Sequence, residues 1–125
     1  MLRVALPNKG SLAEDSIKIL TEAGYKQRSD VRDLVTLDTV NQIEFYYLRP
    51  RDIAIYVASG ELNIGITGRD LLLDSGVEAQ EILPLGFGKS TFRFGVPVST
   101  TGEDISILNG KRVATSYPGL VKSYL

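Results

Sequence analysis

The sequence predicts an α/β fold on three observations. Apolar runs of strand length alternate with segments of helical periodicity, and glycine or proline marks nearly every junction. The composition, 43% apolar and 23% charged, is that of an ordinary globular domain rather than a disordered chain. A chain of 125 residues has room for one core, or one and a fraction.

The first strand is the run Leu2 to Leu6, closed by Pro7. The turn Pro7-Asn8-Lys9-Gly10 then leads to Ser11, read as an N-cap with Glu14 three residues on. Leu12, Ile17, Leu20 and Ala23 follow at helical spacing until Gly24. Leu34 to Asp38 and Ile43 to Leu48 are β-rich, and the turn formers Asp38, Thr39, Asn41 and Gln42 between them predict a hairpin or two adjacent strands. Pro50 suits the first turn of a second helix, with Ile53, Ala54, Val57 and Ala58 on one face and Gly60 past its end. Asn63 to Thr67 predicts a short strand, and Arg69 to Ser75 a short helix closed by Gly76.

Beyond Glu81 the texture changes. Strand-like segments Ile82 to Leu85 and Phe92 to Val98 flank the glycine-punctuated loop Gly86-Phe87-Gly88-Lys89-Ser90, which suggests a boundary or crossover. A polar, turn-rich tract from Ser99 to Asp104 precedes a short helical turn, Ile105 to Leu108, and another strand, Arg112 to Thr115. The last helix begins around Ser116, Tyr117 and Pro118. It has made barely two turns when the sequence ends without a cap, the expectation for a piece of a longer protein.

Charge and composition exclude several function classes. Net charge is −1 and the basic residues are scattered, so the electrostatic footprint of nucleic-acid binding is missing. Cysteine is absent, which removes disulfides, thiolate metal sites and thiol nucleophiles. No signal peptide and no 18-residue apolar stretch is present, so a cytoplasmic protein without membrane contact is expected. Histidine is also absent, which rules out a Ser-His-Asp triad. Carboxylates, lysine, tyrosine, arginine, backbone amides and a metal carried by substrate phosphates remain, a set suited to positioning and electrostatics.

Three groups of residues are chemically suggestive. Lys9, Gly10 and Ser11 lie between a strand and a helix N-terminus, where backbone N–H groups and the helix dipole favour an anion, and Lys9 adds a cation. The glycine spacing of a P-loop is missing, and a plain turn with an exposed lysine fits the same pattern. Arg49-Pro50-Arg51-Asp52 and Gly65-Ile66-Thr67-Gly68-Arg69-Asp70 both follow strand ends. There Arg49 could face a phosphate, and Asp70 a hydroxyl or amino group. Asp52 and Arg51 read more simply as a carboxylate complementing a helix N-terminus and a solvated arginine. The third group, Gly86 to Thr91, could wrap amides around an anion but equally suits a hairpin.

Five stretches taken together resemble the ATP phosphoribosyltransferase family, in its long, actinobacterial-like form. They are Leu2-Arg3-Val4-Ala5-Leu6-Pro7-Asn8-Lys9-Gly10, Leu48-Arg49-Pro50-Arg51-Asp52-Ile53, Tyr56-Val57-Ala58-Ser59-Gly60-Glu61-Leu62, Gly65-Ile66-Thr67-Gly68-Arg69-Asp70 and Leu85-Gly86-Phe87-Gly88. The resemblance runs in family order over the whole chain. It implies a type II periplasmic-binding-protein-like architecture of two α/β lobes. Residues 1–90 would form the first lobe, on the nucleotide side of the cleft, and residues 91–125 would begin the second.

The reaction implied is transfer of a phosphoribosyl group from 5-phosphoribosyl 1-pyrophosphate to ring nitrogen 1 of ATP, releasing pyrophosphate, with Mg²⁺ borne on the substrates. By the same resemblance Lys9, Gly10 and Ser11 would face phosphates, and Arg49 and Asp70 would line the nucleotide side. Ser90 and Tyr117 would lie nearby, Tyr117 against the adenine; no catalytic base is assignable. Feedback by histidine and assembly into homo-oligomers are implied for the full-length family.

Two departures qualify the match. Asn63 stands where the family often has aspartate, a change expected to touch structure more than chemistry. The acidic, glycine-rich loop that holds the ribose phosphate and pyrophosphate has no counterpart in residues 1–125, so this chain alone is expected not to turn over. A non-catalytic anion- or nucleotide-binding module of periplasmic-binding-protein type would use the same cleft and turns.

Overall fold

The computed structural model describes residues 1–102 and 104–125. At its centre is a four-stranded sheet in the order β2-β3-β1-β4. Its strands are β1 (Leu2–Pro7), β2 (Val35–Asp38), β3 (Ile43–Leu48) and β4 (Ile64–Gly65). β1 pairs in parallel with β3 from Leu2 opposite Ile43 to Pro7 opposite Leu48, and with β4 at Val4–Ile64 and Ala5–Gly65. The expected hairpin is present: β2 runs antiparallel to β3. Asp38 stabilises its turn, accepting hydrogen bonds from the Asn41 amide at 3.0 Å, from Asn41 Nδ2 at 2.9 Å and from the Lys26 amide at 2.9 Å.

The side-chain alternation of the strands sorts the core into two halves, one on each face of the sheet. Val4 and Leu6 of β1 join Phe45 and Tyr47 of β3 on one face, beneath Ile17 and Leu20 of α1 (Ser11–Glu22) and Tyr25. Ala5, Tyr46 and Leu48 face the other way, where Ile53 and Val57 of α2 (Pro50–Ala58) and Leu62 cover them. α3 (Arg69–Ser75) packs beside α2, and α4 (Pro118–Tyr124) packs on α3. Helices therefore cover both faces of a mostly parallel sheet, the α/β arrangement read from the sequence.

Two details explain why these residues suit this frame. Gly65 lies where α2 crosses β4; a β-carbon there would sit 2.6 Å from Ile53 Cγ2 and 3.2 Å from Val57 Cγ2, so only glycine lets the helix approach. Asn63 extends the β1–β4 pairing: its amide donates to the Arg3 carbonyl at 2.9 Å, and its Oδ1 accepts from the Arg3 amide at 2.8 Å. An aspartate supplies the same acceptor oxygen, which accounts for the departure at this position in structural terms.

Four sequence expectations are corrected. Ser11 is the first helical residue rather than the cap. Gly10, at φ 89°, is the N-cap, and no side-chain capping bond forms with Ser11 or Glu14. Residues 82–85, 92–98 and 112–115 are irregular rather than strands. β-rich sequence becomes a strand when it gains a ladder partner and a buried face, and residues 92–98 are all exposed with no strand beside them among the described residues. Ile105–Leu108 forms a 3-10 turn, as its helical reading suggested, while Glu103 of the turn-rich tract lies outside the described residues. Among the described residues no helix is long and apolar enough to cross a membrane.

Candidate functional site

Three loops leave the C-terminal ends of the parallel strands at one edge of the sheet. β1 ends at Pro7 and runs into Asn8-Lys9-Gly10, β3 ends at Leu48 and runs into Arg49, and β4 leads through Ile66 and Thr67 to Gly68. Backbone bonds hold them side by side: the Asn8 amide donates to the Leu48 carbonyl at 2.8 Å, and the Ile66 amide donates to the Ala5 carbonyl at 3.0 Å. The loop after β1 feeds α1 on one face, whereas the loop after its neighbour β3 feeds α2 on the other, and the loop after β4 feeds α3, which packs beside α2. Opposite departures from adjacent strands open a crevice at this edge, where open α/β sheets bind ligands.

Lys9 is exposed and makes no salt bridge among the described residues. Gly10 turns the chain through its positive φ into α1, and its carbonyl accepts from the Ala13 and Glu14 amides at 3.1 and 3.3 Å. The amides of Ser11 and Leu12 precede that first bonded turn and stay free to face an anion. A hollow of about 360 Å³ adjoins this loop, lined among others by Asn8, Lys9, Gly10, Ala13, Arg28 and Asp30.

Arg28, which sequence reasoning did not single out, supports the loop from below. Its Nη2 donates to the Asn8 carbonyl at 2.8 Å, its Nη1 to the Val31 carbonyl at 3.0 Å, and its guanidinium carbon lies 4.5 Å from the centroid of the Tyr47 ring. Asn8 Oδ1 and Arg28 Nε are buried there without protein partners, which makes the floor of the loop polar.

Arg49 is the N-cap of α2 and is exposed. Its Nε pairs with Asp52 Oδ2 at 3.0 Å, so part of its charge is engaged within the first helical turn, where Asp52 was expected to complement the helix. Asp70, in the first turn of α3, curls its Oδ1 back over Gly68, leaving no room there for a β-carbon. The Tyr117 hydroxyl feels the Asp70 carboxylate. Its pKa is pushed up by burial first, and then by the charge and hydrogen bonding of that carboxylate. Phe92 meets the Tyr117 ring edge-on at a centroid distance of 5.0 Å.

The structure thus puts Lys9, Gly10, Ser11, Arg49 and Asp70 on the loops and first helical turns at one sheet edge and brings Tyr117 near Asp70. β3 and β4 flank β1, which separates the Arg49 and Asp70 loops by about 10 Å at ordinary strand spacing. Ser90 is exposed, two residues from Gly88, which rests against Leu12 of α1.

Arg51 is exposed, as its solvated reading expected, and it is also engaged: it binds Asp74 at 2.8 Å, donates to the Ser116 carbonyl, and lies 5.2 Å from the centroid of the Tyr117 ring. No local pattern points to Arg51 and Asp74 as a pair, since 23 residues separate them. Among the described residues no group of three or more histidine, cysteine, aspartate or glutamate side chains could hold a metal ion.

A family model for ATP phosphoribosyltransferase (HisG) matches residues 49–125. The chain belongs to the ATP phosphoribosyltransferase family. Its whole length is 62% identical to an ATP phosphoribosyltransferase of Paenarthrobacter aurescens and 61% identical to those of Nocardia farcinica and Streptomyces coelicolor. It covers 43% of the first of these relatives and 44% of the other two, and so spans less than half the length of the curated ATP phosphoribosyltransferases it matches. Among solved structures it is similar to the HisG:HisZ complex of ATP phosphoribosyl transferase from Thermotoga maritima. That match has a TM-score of 0.55 and 27% identity over 66% of this chain and 39% of that one. The sheet with helices on both faces is the α/β, periplasmic-binding-protein-like fold of this family.

Proposed function

We propose that this chain forms the nucleotide side of the cleft of an ATP phosphoribosyltransferase, which transfers a phosphoribosyl group from 5-phosphoribosyl 1-pyrophosphate to ring nitrogen 1 of ATP. The observation that carries this reading is the convergence of the loops after β1, β3 and β4 at one sheet edge. Lys9 and the free amides of α1 suit a phosphate, and Arg49 adds a second cation at the same edge. Asp70 and the ring of Tyr117 suit the base, one as a hydrogen-bond acceptor for an amino group and the other as a stacking surface.

Residues 1–90 would be the first lobe and residues 91–125 the start of the second. Displacement at the anomeric carbon develops oxocarbenium-like charge, so alignment of two polyanions does most of what side-chain proton transfer does elsewhere. That fits a chain without histidine. Mg²⁺ would ride mainly on substrate phosphates and water, and the described residues gather no carboxylate cluster of their own. In the longer protein, histidine would act as feedback inhibitor and the subunits would assemble as homo-oligomers. Nothing in residues 1–125 corresponds to the acidic, glycine-rich phosphoribosyl loop, so this chain by itself would bind nucleotide without turnover.

Amide chemical-shift mapping with AMP tests the reading. Perturbations concentrated at residues 8–11, 49, 67–70 and 117 are expected. Perturbations confined to the β2 edge or the α1 C-terminus would overturn it.

A further inference from the structure

We propose that Arg51 is a positioning residue: through Asp74 it fixes Tyr117 at the edge of the candidate site. Its guanidinium makes three contacts at once. Nη1 donates to Asp74 Oδ2 at 2.8 Å, Nη2 donates to the Ser116 carbonyl, and the cation lies 5.2 Å from the Tyr117 ring centroid. Asp74 is itself held. Its side chain is only 5% exposed, its other oxygen accepts from the Leu120 amide at 2.8 Å, and that amide and Arg51 together keep its carboxyl below the usual carboxylate range. A β-carbon on Gly119 would collide with the Asp74 backbone carbonyl, so the start of α4 is pressed directly against the end of α3.

The contacts bracket Tyr117. The Ser116 carbonyl precedes it and the Leu120 amide follows it, and the two are tied to α2 and α3 by one arginine and one aspartate. Arg51 and Phe92 both contact the ring, and the Asp70 carboxylate lies near enough to act on its hydroxyl. With both terminal nitrogens engaged, Arg51 acts on the site through Tyr117 rather than by touching a ligand. A lysine replaces it only in part, because a single ammonium does not span a carboxylate and a carbonyl while lying against a ring. The assignment of Arg51 rests on the nucleotide reading only for its effect on affinity; the effect on Tyr117 stands by itself.

The chain contains no tryptophan, so Tyr117→Trp creates a unique fluorescent reporter. In that background Arg51→Ala and Asp74→Asn are expected to red-shift the emission and raise acrylamide quenching, with Arg51→Lys recovering only part. The far-UV spectrum and the melting of the sheet core are expected to hold. In the Tyr117 background the same substitutions are expected to weaken AMP binding about tenfold. Unchanged emission and quenching in folded Arg51→Ala would overturn the assignment. Should Arg51→Ala fail to fold, Asp74→Asn and Arg51→Lys decide by the same readout. Absence of AMP binding in the parent chain would count against the nucleotide reading alone, and the fluorescence would still decide the role of Arg51.

Discussion

Gly65 of β4 lies directly beneath Ile53 of α2, so close that a β-carbon would stand 2.6 Å from Ile53 Cγ2. Ile53 is fully buried and anchors α2 on its face of the sheet, so it cannot retreat. Gly65→Ala is therefore expected to destabilise the chain by about 1–3 kcal/mol through overpacking. A urea titration checks this, and a midpoint equal to the parent's would show that α2 is free to lift.

Gly119→Ala should act locally. The new methyl meets the carbonyl of Asp74, so α4 is expected to lose its seat on α3 while the sheet core stays intact. Hydrogen exchange is the suitable probe. The amides of Val121 and Leu125, bonded within α4, should lose protection, and those of β1 and β3 should keep it. Uniform loss of protection would mean instead that α4 is part of the global folding unit.

Tyr47 is buried, and its hydroxyl accepts from the Arg28 amide at 3.0 Å and donates to Gln27 Oε1 at 3.1 Å. Tyr47→Phe keeps the ring beneath the Arg28 guanidinium and removes only those bonds. The expected cost is about 1–2 kcal/mol, with a looser Asn8-Lys9-Gly10 loop above. Thermal melts with loop amide exchange measure both parts, and an unchanged melt with unchanged exchange would show that the Tyr47 hydroxyl does not steady the segment that carries Arg28.

Asp38 and Asp74 both titrate below their ordinary range. For Asp38 the causes are the side-chain amide of Asn41 and then the Lys26 amide; for Asp74 the Leu120 amide leads. Each folded pKa is depressed, so the unfolded chain binds more protons in acid. The stabilisation is complete above the unfolded value, about 3.9, and is lost as pH falls through the folded values. Urea midpoints should be level between neutral pH and about pH 5, then fall steeply below about pH 4. Asp38→Asn should reduce that fall, and an identical acid profile in the variant would contradict the role given to Asp38.

Much of this was legible in the sequence because it is local. Gly24, Gly60 and Gly76 marked the ends of α1, α2 and α3, and all three have positive φ, the backbone state that ends a helix cheaply in glycine. The hairpin turn around Asp38 and Asn41 was readable for the same reason. What pairs over distance was not. The order β2-β3-β1-β4 depends on which face each helix covers, and the Arg51–Asp74 contact joins residues from two helices. The strand-like run Phe92 to Val98 misled because alternation records a capacity to pair, whereas a strand also needs a neighbour.

The most direct test of the nucleotide edge is calorimetric titration of this chain with AMP, with Lys9→Ala and Asp70→Ala measured beside it. Saturable binding is expected in the parent and at least about tenfold weaker binding in each variant, with all three melting alike. Variants that bind as the parent does, or a folded parent that binds no nucleotide, would contradict the placement of the nucleotide at this edge.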